Sequence, residues 1–447
     1  MVHIKYILLS LLLIGLINVP VTHAQSPPKI LDMQARTEVQ DSWLSYRFKT
    51  VVPQLMRREN IDMWVIIARE YNEDPVIKTM LPATWQSARR RTILVFYDTG
   101  NSIEQLAVAR YDIGEFFKTA WNKEEQPDQW KRLAEIIKER NPQKIALNYS
   151  KDFALADGIS KTQFDEFKSA LPEIYQERIV SGENLAIGWL ETRTTPEMQV
   201  YPQICHIAHD IIAKGFSEAA IQPGITTTEE IEWWYRDRIR ELKLTAWFHP
   251  SVSVQRSSEE ETGFLESFSK RPAKNVIQPG DLLHVDFGIT YLGLNTDTQQ
   301  HAYVLKAGET DAPDGLKQAL QTGNRLQDIL TNNFKSGRSG NEILKASREQ
   351  AISEGIKPSI YTHPIGFHGH AAGPTIGLWD QQEGVEGKGD YPLYANTAYS
   401  IELNATVNIP EWDKEIRIML EEDAFFNGDS VRYIDGRQTE LFLIPRQ

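Results

Sequence analysis

Five side chains in the C-terminal half constrain the fold most: Asp286, Asp297, His370, Glu402 and Glu421. The two Asp lie eleven residues apart, and the two Glu fall in segments that alternate as strands do. In LLHVDFG, Leu283, Val285 and Phe287 share one face, and His284 and Asp286 share the other. NTDTQQH returns with Asn295, Asp297, Gln299 and His301 on one face. YSIELNATV and IRIMLEED set Glu402 and Glu421 opposite an oily face, and His370 sits in GFHGHAAGP, where small residues permit close approach. Taken singly, each carboxylate reads as the wet side of a sheet. Together, on half-buried strands, they would repel unless cations lay among them. An oxygen-rich set with one imidazole suits two divalent cations sharing bridging carboxylates, which points to hydrolytic chemistry. The chain must therefore fold so that separate short strands converge.

At 447 residues the chain exceeds one ordinary core, and two domains are expected. A hydrophobic content of 41% with 24% charged residues is that of a folded protein. The net charge of −13, without a basic stripe, excludes nucleic acid as an expected partner. Lys5, the apolar run from Tyr6 to Ile17 and the small residue Ala24 read as a signal peptide over residues 1–24. The expected location is therefore secreted or periplasmic, with no stable membrane association after cleavage. An uncleaved N-terminal anchor is the competing reading, although the run is short for a bilayer. Cys205 is the only cysteine, so the fold has no internal disulfide.

Strand and helix patterns alternate from residue 38 to 190: helix SWLSYRFKTVVPQLMRREN, strands IDMWVIIARE, RTILVFYDTG and QLAVARYD, helix DQWKRLAEIIKERN, strand KIALNYS and helix TQFDEFKSALPEI. That pattern predicts a small α/β domain. Residues 191–447 open with two helices, the second preceded by capping-box pairs Thr226/Glu229 and Thr227/Glu230, and then change to short strands interrupted by two helical stretches. This half reads as α+β with antiparallel sheet.

The order and spacing of these motifs resemble the pita-bread metallopeptidases of peptidase family M24, which include Xaa-Pro aminopeptidase, prolidase and the non-metal enzyme creatinase. The matching segments are VDFG at Asp286, NTD at Asp297, GHAAG at His370, SIEL at Glu402 and LEEDA at Glu421. The resemblance covers nearly the whole chain after residue 24. It implies a creatinase-type N-terminal α/β domain over 38–190 and a pita-bread catalytic domain over 191–447. It also implies that Asp286 chelates one cation, that His370 and Glu402 hold a second, and that Asp297 and Glu421 bridge them. Manganese is the expected metal, with zinc or cobalt as alternatives. The implied reaction is attack by a metal-bridging hydroxide on a peptide bond next to proline, with Glu402 shuttling the proton. Proline-containing peptides are the implied substrate partner and a homodimer the implied assembly. Glu422 is the register rival of Glu421, and strand alternation puts it on the oily face.

The chain departs from that pattern in three places. A histidine expected some twenty residues before Asp286 is absent from FLESFSKRPAKN, one expected seven residues after His370 is Gly377, and an arginine expected two residues before Glu421 is Met419. His363 and His368 are the first candidates to supply the missing catalytic donors, with His284 and His301 behind them. These departures keep two alternatives open: the same site acting on another amide or ester, and a non-catalytic metal-bound binding protein.

Overall fold

The strand Met63–Arg69 is apolar almost throughout because both of its faces are covered. Met63, Val65 and Ile67 pack with Leu133, Ile136, Ile137 and Phe167 of the helices Gln129–Arg140 and Lys161–Ala170. Trp64, Ile66 and Ala68 pack on the other side with Phe48, Val52 and Leu55 of the helix Met33–Arg58 and with Trp189 of the helix Glu183–Glu191. Two-sided cover turns the two-residue alternation of a strand into a continuous hydrophobic run. The computed structural model describes residues 29–257 and 275–446. The expected signal peptide and most of FLESFSKRPAKN lie outside the described residues.

Met63–Arg69 is central in a six-stranded mixed sheet. Arg91–Asp98 and then Ile103–Ala107 pair antiparallel on one side, with Lys118–Thr119 parallel beyond them. Ile145–Leu147 and Ile179–Ser181 continue in parallel on the other side. Asn141 ends the 129–140 helix at a positive φ of 47°, and Pro142 follows it. Every strand and helix expected in this half is present.

The junction is held by a buried ion pair. Arg47 of the first helix donates to Glu197 Oε1 at 3.0 Å and to the Thr192 carbonyl at 2.7 Å. Glu197 Oε2 accepts from the Thr194 backbone N–H at 2.6 Å, at the start of the helix Thr195–Gly215. Arg47 and Glu197 are both almost fully buried, so each charge depends on the other.

Among the described residues, the C-terminal half carries three sheets and a short hairpin. Ser251–Gln255, Leu282–Phe287, Thr298–Val304 and Phe442–Ile444 form one. Lys357–Ile360, Leu403–Ile409 and Lys414–Leu420 form the second. His363–Pro364, Thr397–Ser400, Asp423–Phe426 and Val431–Tyr433 form the third. The second and third sheets share two chain segments, and the ladder breaks where the chain passes between them. Ser400 is opposite Asp423 and Leu403 opposite Leu420, so Ile401–Glu402 and Glu421–Glu422 occupy the break. The helices Asp314–Asn332 and Gly340–Ser353 pack against the second sheet, and Thr195–Gly215 packs against the first. The capping box of the helix Thr228–Glu241 is Thr227 with Glu230. On that helix Tyr235 is buried and Trp233 is exposed against His249. Among the described residues no helix is long and apolar enough to cross a membrane.

Candidate metal centre

Strand ends bring the acidic residues together. Asp286 is the penultimate residue of Leu282–Phe287, Asp297 immediately precedes Thr298–Val304, and Glu402 and Glu421 stand in the break between sheets. A strand end frees a side chain from the flat face of a sheet and lets it turn inward. Asp286 pairs across the strands with Gln299, two residues from Asp297 and on the same face, so the two Asp meet on the diagonal and not directly opposite.

Among the described residues, three trios of ligand-type atoms lie within 4.8 Å of one another: Asp286–Asp297–Glu421, His363–Glu402–Glu421 and Asp297–His363–His370. All five residues of the expected ligand set appear among them. His363 enters two of the trios. Its Nε2 lies 3.3 Å from Glu421 Oε1, 3.6 Å from Asp297 Oδ2 and 3.8 Å from Glu402 Oε2. His363 Nδ1 lies 2.9 Å from the Pro364 carbonyl, which accepts the N–H of that nitrogen and leaves Nε2 as the electron-pair donor. His370 is the outer imidazole, exposed and edge-on between His363 and Trp247. His368 belongs to no trio. Its ring lies near Arg193 and Lys78, and burial, helped by those two charges, lowers its pKa to about 4. Of the two histidines expected to be catalytic, the structure brings His363 into the cluster and leaves His368 outside the three trios.

Electrostatics make the cluster costly without a cation. Burial, then the Glu421 charge, pushes the Asp286 carboxyl far above the ordinary range. Asp297 is raised by burial and by Glu421, Asp286, Glu402 and Asp423 in turn, and Glu402 by burial, Glu421 and Asp286. Asp286 Oδ1, Asp297 Oδ1 and His363 Nε2 are buried without a hydrogen-bond partner. Three orphaned donor atoms beside mutually repelling carboxylates fit divalent cations, by both charge and ligand chemistry. Glu421 also fits a bridging role. Its Oε1 accepts from Ser400 Oγ at 2.7 Å and its Oε2 from Gln299 Nε2 at 2.7 Å, so each oxygen keeps a lone pair free.

Sequence reading missed two features. Gln299 reaches both glutamates, and although it falls on the Asp297 face, a glutamine carries no sign of metal chemistry. Glu422 is not on an oily face: it is buried among polar groups, accepting from Gln300 at 2.8 Å and meeting His209 Nε2 at 2.7 Å. Alternation fails there because the strand ends at Leu420. The other alternates also have local roles. His284 faces Gln299, and His301 joins the Leu283 carbonyl to the Met419 N–H at 3.0 and 3.1 Å.

This architecture, with its inward-facing carboxylates, is that of the pita-bread metallopeptidases. The profile of metallopeptidase family M24 matches residues 203–433, and the chain belongs to that family. It is an enzyme of the peptidase class. The solved structures it is similar to include the X-Pro aminopeptidase of Thermotoga maritima (18% identity, TM-score 0.61, 87% of this chain and 99% of that one). The Xaa-Pro dipeptidase of Bacillus anthracis is similar at 17% identity and TM-score 0.55, over 92% and 100% of the two chains. The prolidase of Pyrococcus horikoshii is similar at 13% identity and TM-score 0.54, over 91% and 99%. At such identities the likeness is one of fold, an α/β N-terminal domain followed by a pita-bread catalytic domain. No curated protein matches the sequence.

Proposed function

We propose that the chain hydrolyses peptide bonds next to proline, in the manner of an Xaa-Pro aminopeptidase or prolidase, with two divalent cations held by the converging strands. The observation that carries this is the meeting of Asp286, Asp297, Glu402, Glu421 and two imidazoles in one buried cluster with orphaned donor atoms. Asp286, Asp297 and Glu421 would hold one cation, and Glu402, Glu421 and His363, with Asp297 and His370, the other. Divalent cations there would supply Lewis-acid polarisation of the scissile carbonyl and a nucleophile at neutral pH. The oxygen-rich donor set favours manganese, with zinc or cobalt as alternatives.

The chain's own groups divide the remaining work. Glu402 is the residue for proton transfer: it is the least buried of the two glutamates, and its Oε2 faces His363 while its Oε1 accepts from Gln299. Exposed His370 beside Trp247 stands where a substrate would enter. The proline-containing substrate agrees with what the similar solved enzymes are named for. Export is part of the same reading and rests on residues 1–24 alone; cell fractionation tests it.

One observation favours a second reading, hydrolysis of another amide or ester. Gly377, which stands where the resemblance expects a histidine, has φ +76°, and a Cβ there would lie 2.2 Å from the Ile360 carbonyl oxygen. No histidine fits at that point. The deciding experiment offers manganese-loaded protein Xaa-Pro dipeptides and longer peptides with proline second. Release from dipeptides alone means prolidase, and release from longer chains means aminopeptidase. Metal binding with no turnover of either, followed by turnover of other amides or esters, would replace the first reading by the second.

A further inference from the structure

Gln299 spans the two glutamates of the cluster. Its single amide nitrogen donates one N–H to Glu402 Oε1 at 2.6 Å and the other to Glu421 Oε2 at 2.7 Å. The oxygens it takes are the ones turned away from the deep imidazole. Glu402 Oε2 and Glu421 Oε1 are those that approach His363 Nε2, at 3.8 and 3.3 Å. Each carboxylate is thus gripped by one oxygen while the other is aimed at the imidazole.

The amide is itself held in one orientation. A flipped Gln299 would turn its carbonyl oxygen toward two carboxylates. That oxygen instead meets His284 Nε2 at 2.9 Å, and His284 Nδ1 faces the Ser253 hydroxyl at 3.4 Å. With Ser253 donating to Nδ1, the proton of the imidazole sits on Nε2 and donates to Gln299. The backbone is pinned as well: Gln299 N–H donates to the Glu421 carbonyl at 3.0 Å, and Glu421 N–H to the Gln299 carbonyl at 3.3 Å. Ser253, His284 and Gln299 therefore form a relay across three adjacent strands that ends on both glutamates.

We propose that Gln299, oriented by His284, is a positioning residue that sets the direction of the Glu402 and Glu421 carboxylates for cation binding. The proposal rests on the reading of those two glutamates as cation ligands. Hydrogen-bonded partners of ligating groups fix ligand direction before the metal arrives, and losing them lowers affinity. Here one neutral side chain does this for two anionic ligands at once. A cationic side chain in its place would neutralise the charge that the metal needs, whereas an amide orients without neutralising.

The test uses metal-stripped full-length protein titrated with Mn²⁺ by calorimetry, with circular dichroism to confirm folding. Gln299→Leu keeps the bulk and removes both donors, and its Mn²⁺ affinity is expected to fall roughly 10- to 100-fold. His284→Phe leaves Gln299 in place but frees its amide to flip, and is expected to weaken Mn²⁺ by a smaller factor. A folded Gln299→Leu protein that binds Mn²⁺ as well as the wild type overturns the proposal, even if the metal-free protein melts earlier, because that is a merely structural effect. Tighter binding also overturns it, since the amide would then be competing with the cation. If Gln299→Leu does not fold, unchanged affinity in His284→Phe overturns it. Wild-type protein that binds no divalent cation would remove the metal reading and this one together. Wild-type protein that binds Mn²⁺ but cleaves no peptide would remove only the proposed reaction.

Discussion

Glu421 and Glu422 are neighbours at the end of one strand, each 1% exposed, and their surroundings differ in kind. Glu422 faces the helix Thr195–Gly215, where His209 joins it to Asp435 through contacts of 2.7 and 2.9 Å. Despite burial, those two carboxylates raise the His209 pKa to about 10, so the imidazole is a cation at neutral pH. Glu421 faces the other way, toward Asp286, Asp297 and Glu402, and its hydrogen-bond donors are a neutral hydroxyl and a neutral amide. Similar burial therefore marks two different situations. Around Glu422 the protein supplies its own counter-charge and the group is structural. Among the described residues, no protein cation is within bonding distance of the Glu421 carboxylate, apart from an imidazole whose Nε2 is free to ligate. A buried charge becomes informative about function when its compensation is counted, not when its burial is.

That contrast can be broken most directly on the Glu421 side. Asp297→Asn and Glu421→Gln remove charge from the cluster and are expected to cut peptide turnover at least about a thousandfold, the several kcal/mol expected of lost cation polarisation. Elemental analysis should show metal content falling in both, while folding is kept because mutual repulsion is relieved. Full metal content in both variants would make the Glu421 side as self-sufficient as the Glu422 side. The opposite pattern is expected on the other face. His209→Ala leaves Glu422 buried without its cation and should cost about 3–5 kcal/mol in chemical denaturation, with metal content retained. The pH dependence has a definite sign. The folded pKa of about 10 lies above the ordinary 6.5, so the His209 contribution is complete below pH 6.5 and is lost as pH rises toward 10. Wild-type stability should therefore decline over that range relative to His209→Ala. A parallel course for the two proteins would show that Glu422 does not rely on His209.

How much of this could be read from the sequence follows the same division. The N-terminal strands were legible because two-sided burial writes itself as an apolar run, as in Met63–Arg69, and because Asn141-Pro142 marks a helix end. The carboxylates at 286, 297, 402 and 421 were legible because each stands opposite an oily face. The arrangement around them was not. The diagonal offset of Asp286 and Asp297 depends on cross-strand register, and the outward turn of Glu422 depends on a ladder break, both set by tertiary pairing. The partner of Glu422 lies more than two hundred positions earlier in the chain, and no local pattern ties His209 to it. His370 was expected as a ligand and His363 only as a donor, and no local pattern shows that His363, on the strand His363–Pro364, is the deeper of the two.

Glu191 sharpens the comparison, because it is a third way to hold a buried acid. It closes the helix Glu183–Glu191 and is 1% exposed. The Tyr391 hydroxyl donates to its Oε1 at 3.3 Å, and its Oε2 is buried with no partner. Arg58 and Arg193 act on it only through space, and burial outweighs them, pushing its pKa up to about 8. Glu191 is therefore protonated at neutral pH, neither paired like Glu422 nor left for a cation like Glu421. Because the folded pKa lies above the ordinary value near 4.5, the folded state binds the extra proton, and stability must fall as pH rises from about 4.5 toward 8. Glu191→Gln carries no such proton. The wild type should lose roughly 3–5 kcal/mol relative to Glu191→Gln across that interval, the cost of ionising a buried carboxyl whose pKa lies that far above the ordinary value. Unfolding midpoints measured from pH 5 to pH 9 for the two proteins give the difference. If the two curves run parallel, Glu191 is ionised throughout, and Arg58 and Arg193 compensate it as His209 compensates Glu422.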